Sequence, residues 1–158
     1  MKVAKLLVVI GVMMQYACNS GIHFEEFINI PDLEWGHDNT MHFDVEVIDT
    51  TQLYDIIINV RHSDSYTYRN MYIMIYTTFP TGRKLEQQIR LNLAEKSGKW
   101  KGKCTGDICM IQYPIQELAY FNEVGKYTFE IVQYMRDDPL HGIEKIGLIL
   151  YKADLPEQ

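Results

Sequence analysis

The chain predicts an all-β fold: a single-domain antiparallel β-sandwich, immunoglobulin-like or jelly-roll-like, with its strand order left open by pattern alone. Three observations carry that expectation. At least six runs of eight or nine residues read as strands, and most of them alternate apolar with polar residues, as side chains do when they point to opposite faces of a sheet. Turn chemistry separates nearly every pair of runs, and no long helical period occurs anywhere. Six or more strands with short connections fit two packed sheets in one domain.

The runs follow in order. Residues 41–48 (MHFDVEVI) set Met41, Phe43, Val45 and Val47 against His42, Asp44 and Glu46, and residues 54–62 place Tyr54, Ile56, Ile58 and Val60 on one face. Residues 71–79 (MYIMIYTTF) are aromatic and β-branched throughout, which predicts a strand covered on both sides. Residues 87–94 alternate Ile89, Leu91 and Leu93 with Gln88, Arg90 and Asn92; residues 126–134 alternate Tyr127, Phe129 and Ile131 with Thr128 and Glu130. Residues 143–151 close the series. The punctuation lies at Asp49-Thr50-Thr51, Pro80-Thr81-Gly82, Ser97-Gly98, Thr105-Gly106-Asp107, residues 122–125 and Asp137-Asp138-Pro139. Only residues 114–121 suggest a helical turn, with Pro114 at its start.

Before the strands stands a segment of another kind. Lys2 and Lys5 precede a nine-residue apolar run over 6–14, and Ala17 precedes Cys18. Nine residues fall short of the about 20 that a helix needs to span a hydrocarbon core, so the segment reads as a secretory signal. Its small residue before a cysteine points to a bacterial lipoprotein, cut before Cys18 with a diacylglycerol on the sulfur; an ordinary secreted protein is the competing reading. Gln15 departs from the usual leucine of such a site. The expected domains are a cleaved signal over 1–17, a short lipid-anchored tether over 18–22 and the sandwich over 23–158. Asn19 after the cysteine, with no acidic cluster following, points to the periplasmic face of the outer membrane.

Cleavage would leave 141 of the 158 residues, and with Lys2 and Lys5 gone, 13 basic against 21 acidic side chains. That length is enough for a real core, and that charge excludes nucleic acid as a natural partner. The densest basic stretch, Lys96, Lys99, Lys101 and Lys103, is spaced by glycine and tryptophan as a solvated loop would be. Cys104 and Cys109 flank turn residues in CTGDIC, which fits a disulfide across a hairpin end in an exported protein. Free thiols are the competing reading; a redox pair prefers tighter spacing, and no second Cys/His pair completes a zinc site.

Chemistry-bearing motifs are sparse. His37-Asp38, His42-x-Asp44 and His62-x-Asp64 pair imidazoles with carboxylates but lack a third ligand, so no metal is expected. Hydrolase motifs and phosphate-binding glycine loops are missing, and neither an enzyme nor a cofactor is predicted. The eleven Tyr, six Phe and two Trp are read three ways: core, protein interface or glycan platform.

Taken together, several short pieces resemble the gliding motility lipoprotein H family (GldH) of Bacteroidetes. They are Arg61-His62 with Tyr66-x-Tyr68-x-Asn70, Pro80-Thr81-Gly82, and Leu93-Ala94 with Gly98-Lys99-Trp100-Lys101-Gly102. Gly125-Lys126-Tyr127-Thr128-Phe129, Gln133-Tyr134-Met135-Arg136, Leu140-His141-Gly142-Ile143 and Ile146-Gly147 complete the set. The resemblance implies a lipid-anchored, non-enzymatic accessory protein of gliding or its associated secretion machinery, acting by binding other envelope proteins. The Cys104/Cys109 pair lies outside it. Contact with a partner is expected from Tyr66, Tyr68, Asn70, Trp100 and Arg136, with Arg136 pairing to Asp137, Asp138 or a partner's carboxylate. The alternative is a glycan-binding lipoprotein of a polysaccharide-uptake system.

Overall fold

The computed structural model describes residues 21–154. The expected signal, Cys18 and most of the expected tether lie outside the described residues; β1 begins at Ile22, the last tether position.

Among the described residues eleven strands form: β1 (Ile22–Asn29), β2 (Glu34–Trp35), β3 (Met41–Val47), β4 (Leu53–Ser63), β5 (Asn70–Thr78), β6 (Lys84–Asn92), β7 (Lys103–Thr105), β8 (Ile108–Tyr120), β9 (Gly125–Gln133), β10 (Leu140–His141) and β11 (Ile143–Ala153). All pairings are antiparallel. One sheet runs β1-β11-β4-β8-β7, the other β3-β9-β5-β6, and β2 and β10 add a two-residue ribbon. The fold is the all-β sandwich that the alternation predicts. No helix among the described residues is long and apolar enough to cross a membrane.

Register explains the core. Phe43 pairs with Phe129 and Val45 with Tyr127, Ile75 with Ile131, and in the other sheet Ile58 with Leu148 and Val60 with Ile146. All ten are buried. Each strand therefore contributes every second residue to one apolar layer, and their burial is the main force holding the sheets together.

Two expectations need correction. Residues 114–121 hold no helical turn: Pro114 lies within β8 opposite Ile57, where the register shifts twice between Tyr54 and Ile57. Proline cannot donate to a ladder, and a bulge is where a sheet tolerates it. The Leu118 backbone sits at φ 50° and its N–H donates instead to Asp55 Oδ1 (2.9 Å). Second, β5 is not covered on both sides: Met71, Ile73 and Ile75 are buried, whereas Tyr72, Met74 and Tyr76 line a half-open outer face. Ile22–Asn29 pairs along β11 as an edge strand, although Glu25-Glu26 breaks its alternation; only one of its edges is hydrogen-bonded, so a charged pair is tolerated there.

The two ends of the sandwich differ. β1 begins, β11 ends and β4 begins at one end, since Ile22 pairs with Tyr151 and Leu53 with Ala153 and Tyr120. The turn through Pro80 meets Gly125 there. At about 3.3 Å per residue, the eleven residues of β4 carry the chain roughly 36 Å to the opposite, distal end. That end holds the β2–β10 ribbon, the β4–β5 and β6–β7 connections and the loop after β9.

Candidate functional site

Most of the pieces behind the family resemblance gather at the distal end. His62 closes the inner face of β4, and rings stack around it: Trp100 at 4.5 Å and Tyr66 at 5.7 Å, with Tyr68 5.9 Å beyond Tyr66. Edge-to-face and tilted contacts suit the aromatic quadrupole. Tyr66 donates its hydroxyl to Asn70 O (3.2 Å), and Trp100 Nε1–H donates to Asp64 O (3.2 Å). Gly142 passes so close that a Cβ there would stand 3.3 Å from Tyr66 Cα. Together these residues make an aromatic plug that seals the sandwich.

Burial sets the chemistry of the plug. It pushes the Tyr66 phenol far above its ordinary range, with Tyr68 and Asp137 adding to the effect. Burial also pulls the His62 imidazole below its usual value, against a weaker opposing pull from Ser63 and Asp64. His62 Nδ1 lies 2.8 Å from Ser63 O, so Nδ1 carries the hydrogen and donates it. Nε2 is buried without a hydrogen-bond partner. Beside the plug, Cys109 pairs with His62 in register, and Cys104 with Cys109 across the β7–β8 hairpin turned at Gly106-Asp107. The two cysteines are joined as a disulfide, with Cα atoms 3.9 Å apart.

Above the plug, on the outer face of the four-stranded sheet, lies a groove of about 850 Å³. Tyr68, Tyr72, Tyr76 and Tyr134 line it, with Gln88, Val132, Met135, Arg136, Asp137 and His37. The floor is built by pairing: Tyr134 N–H donates to Tyr72 O (2.8 Å), and Met74 pairs with Val132. The rim is held by hydrogen bonds. Tyr68 donates to Asp137 Oδ2 (2.6 Å), which raises the Tyr68 phenol pKa. Gln133, 1% exposed, accepts from Met135 N–H (2.8 Å) and donates to Asp137 O (2.9 Å). His37 reaches Met135 O (3.0 Å) and pairs with Asp138 (3.3 Å). A groove fixed in this way can receive a partner with little ordering cost.

The five expected contact residues separate accordingly. Tyr68 and Arg136 line the groove. Tyr66 is 4% exposed and Trp100 half-buried, and both rings belong to the plug. Asn70 serves through its backbone carbonyl. Arg136 forms no ion pair with Asp137 or Asp138 because Tyr68 and His37 already engage those carboxylates. Arg61 pairs with Glu144 (3.1 Å).

The imidazoles likewise pair singly. His42 meets Glu130 (3.4 Å) across the sheet, not Asp44, and His141 meets Glu34 (3.4 Å). Asp44 accepts from Thr128 and Lys126, which hold its pKa down. Among the described residues no three His, Cys, Asp or Glu side chains come together as a metal site would require. Sequence reasoning missed Tyr76, His37 and Gln133 as parts of the groove. Residues 71–76 are apolar throughout, so no local alternation marks Tyr72 and Tyr76 as outward.

Comparison with known proteins places this architecture. A gliding motility lipoprotein GldH homolog of Christiangramia forsetii is 29% identical over 145 residues, 87% of this chain and 88% of that protein. Gliding motility lipoprotein GldH of Flavobacterium johnsoniae is 23% identical over 155 residues, 94% and 96% of the two chains. Among solved structures, the crystal structure of a non-crystalline cellulose specific carbohydrate-binding module aligns with a TM-score of 0.43 and 10% identity, over 87% of this chain and 85% of that one. At that level the likeness carries no functional argument. The GldH lipoprotein match spans residues 22–150, from β1 into β11 and through both sheets, the plug and the groove, and the chain belongs to the GldH lipoprotein family.

Proposed function

We propose that this protein is an acyl-anchored, non-enzymatic accessory component of gliding motility or its associated secretion machinery, and that it works by binding another envelope protein in the tyrosine groove. Its similarity to two gliding motility lipoproteins supports the motility assignment. The residues before β1 support the anchor: a short basic and apolar signal, then Ala17-Cys18, with Cys18 as the acylated residue of an outer-membrane lipoprotein facing the periplasm. One observation carries the binding mode. Tyr72, Tyr76 and Tyr134, which are not core residues, stand around a preformed groove, with Tyr68 at its rim and the exposed Arg136 beside them. Tyrosine and arginine are the side chains that concentrate binding energy at protein interfaces.

The anchored N-terminal segment enters at the opposite end from the plug, so the groove is presented away from the membrane. The test is an affinity pull-down of the tagged, detergent-solubilised full-length protein from its native envelope, compared with a Tyr72→Ala/Tyr134→Ala variant. Co-purification of motility or secretion components, lost in the variant, supports the reading. Recovery that ignores the variant refutes the groove. A glycan array that binds wild type and not the variant, with no protein recovered, would replace it with the sugar-binding alternative.

A further inference from the structure

The inward positions of β6 are not all covered by the opposing sheet. Residues 85, 87, 89 and 91 share the face of Ile73 and Ile75 by register, yet cover falls away along the strand: Leu91 is buried, Ile89 half-buried, and Leu85 51% exposed. The opposing strand, β8, carries Pro114, two register shifts and the positive-φ Leu118 along this stretch. Bulges bend a strand away from its ladder, and the two sheets part. Between them opens a cleft of about 330 Å³, within the size of small-ligand sites, which start near ~300 Å³.

Buried apolar side chains, Ile56, Ile75, Phe121 and Phe129, line the cleft beside the polar Thr77, Gln87, Gln116 and Asn122. The apolar part offers water few hydrogen bonds and favours an apolar tail. One cation stands among the lining residues, Arg83, whose guanidinium lies 3.6 Å from the centre of the Phe79 ring. No carboxylate lines the cleft, in a chain with 21 acidic residues. The cleft lies toward the end of the sandwich where β1 begins, among Ala119, Tyr120 and the Phe79 turn, and away from the tyrosine groove. A lipid anchor on Cys18, four residues before Ile22, would hold this end against the membrane.

We infer that the cleft binds a single-chain anionic lipid, a fatty acid, with its acyl tail between the sheets and its carboxylate on Arg83. The tail replaces water against the exposed Leu85 and the parted sheets, and a neutral or cationic head finds no counter-charge at the mouth. This site is separate from the groove and does not depend on what the groove binds.

The test is photo-cross-linking of the full-length protein in detergent with a 16-carbon fatty acid bearing a mid-chain diazirine, with labelled peptides mapped by mass spectrometry. Labels are expected on residues 75–87 and 115–129, competed by unlabelled palmitic acid. Competitors of eight to twelve carbons should tighten about fourfold per added methylene until the cleft is full. Arg83→Glu should weaken labelling about tenfold, because a charge-assisted contact becomes a repulsion, and Ile115→Trp should abolish it by filling the cleft. If Ile115→Trp fails to fold, Leu85→Trp at the exposed mouth serves in its place. Labels confined to other segments, labelling without competition, or labelling that ignores both variants would overturn the proposal.

Discussion

Replacing Tyr66 with alanine should cost this protein stability before it costs any contact with a partner. The ring is 4% exposed and packs on His62, Tyr68 and Trp100 at 5.7, 5.9 and 6.3 Å. Removing a buried aromatic ring costs about 3–5 kcal/mol in transfer and cavity terms. Its hydroxyl bond to Asn70 O adds roughly 1 kcal/mol. For a domain of this size, between the classes that lose ~2–4 and ~4–8 °C per kcal/mol, Tyr66→Ala should lower Tm by about 15 °C. Tyr66→Phe keeps the ring and loses only the hydroxyl, so it should cost about 1 kcal/mol. The assay is thermal unfolding of the full-length protein in mild detergent, followed by circular dichroism, with the pull-down run below the variant's Tm. Tyr68→Ala is the contrasting substitution: it should cost less stability than Tyr66→Ala and weaken partner recovery. If Tyr66→Ala unfolds within about 1 kcal/mol of wild type while losing its partner, the ring is a contact residue and the plug reading fails.

Other outcomes follow from the same geometry. His62 is held neutral by burial, so the unfolded chain binds the extra proton: stability should be complete above pH 6.5, the ordinary histidine value, and fall as pH drops below it. His62→Phe, which cannot protonate, should flatten that part of the stability–pH curve, and an unchanged slope would place the dependence elsewhere. Gly142 and Gly98 both have positive φ, but an added Cβ meets Tyr66 only at Gly142. Gly98→Ala should therefore cost about 1–2 kcal/mol of left-handed strain, and Gly142→Ala measurably more; equal denaturation midpoints would contradict the close approach. Cys104→Ser/Cys109→Ser opens a loop of six residues, which in the chain-entropy model stabilises by about 2 kcal/mol. A much larger loss would mean that the bond also positions Cys109 beside His62.

The core was legible because period two survives any strand order. Phe43, Val45, Ile58, Ile73 and Ile131 are inward whichever strands they neighbour, and each is buried. The pattern failed where both faces of a strand are apolar or where a rule is locally broken. In MYIMIY no alternation marks Tyr72 and Tyr76 as outward, so half the groove read as core. Pro114 read as a helix start because a bulge that accommodates proline has no local signature; it depends on the ladder with β4. Asp137 and Arg136 stand side by side in sequence, yet the nearer hydroxyl of Tyr68 takes the carboxylate from sixty-nine residues away.

By itself the sequence determined the fold class, the inward set of side chains, the positions of the turns and the resemblance to the GldH family, because each rests on local period, turn chemistry or order along the chain. Only the tertiary structure decided which aromatics seal the sandwich and which stand open, since Tyr66 and Tyr68 share a strand entry and differ only in what other strands bring against them. The strand order, the tyrosine groove and the acyl-sized cleft belong to the same class. Each is produced by pairings between residues far apart in sequence, and no local pattern encodes the energy of those contacts.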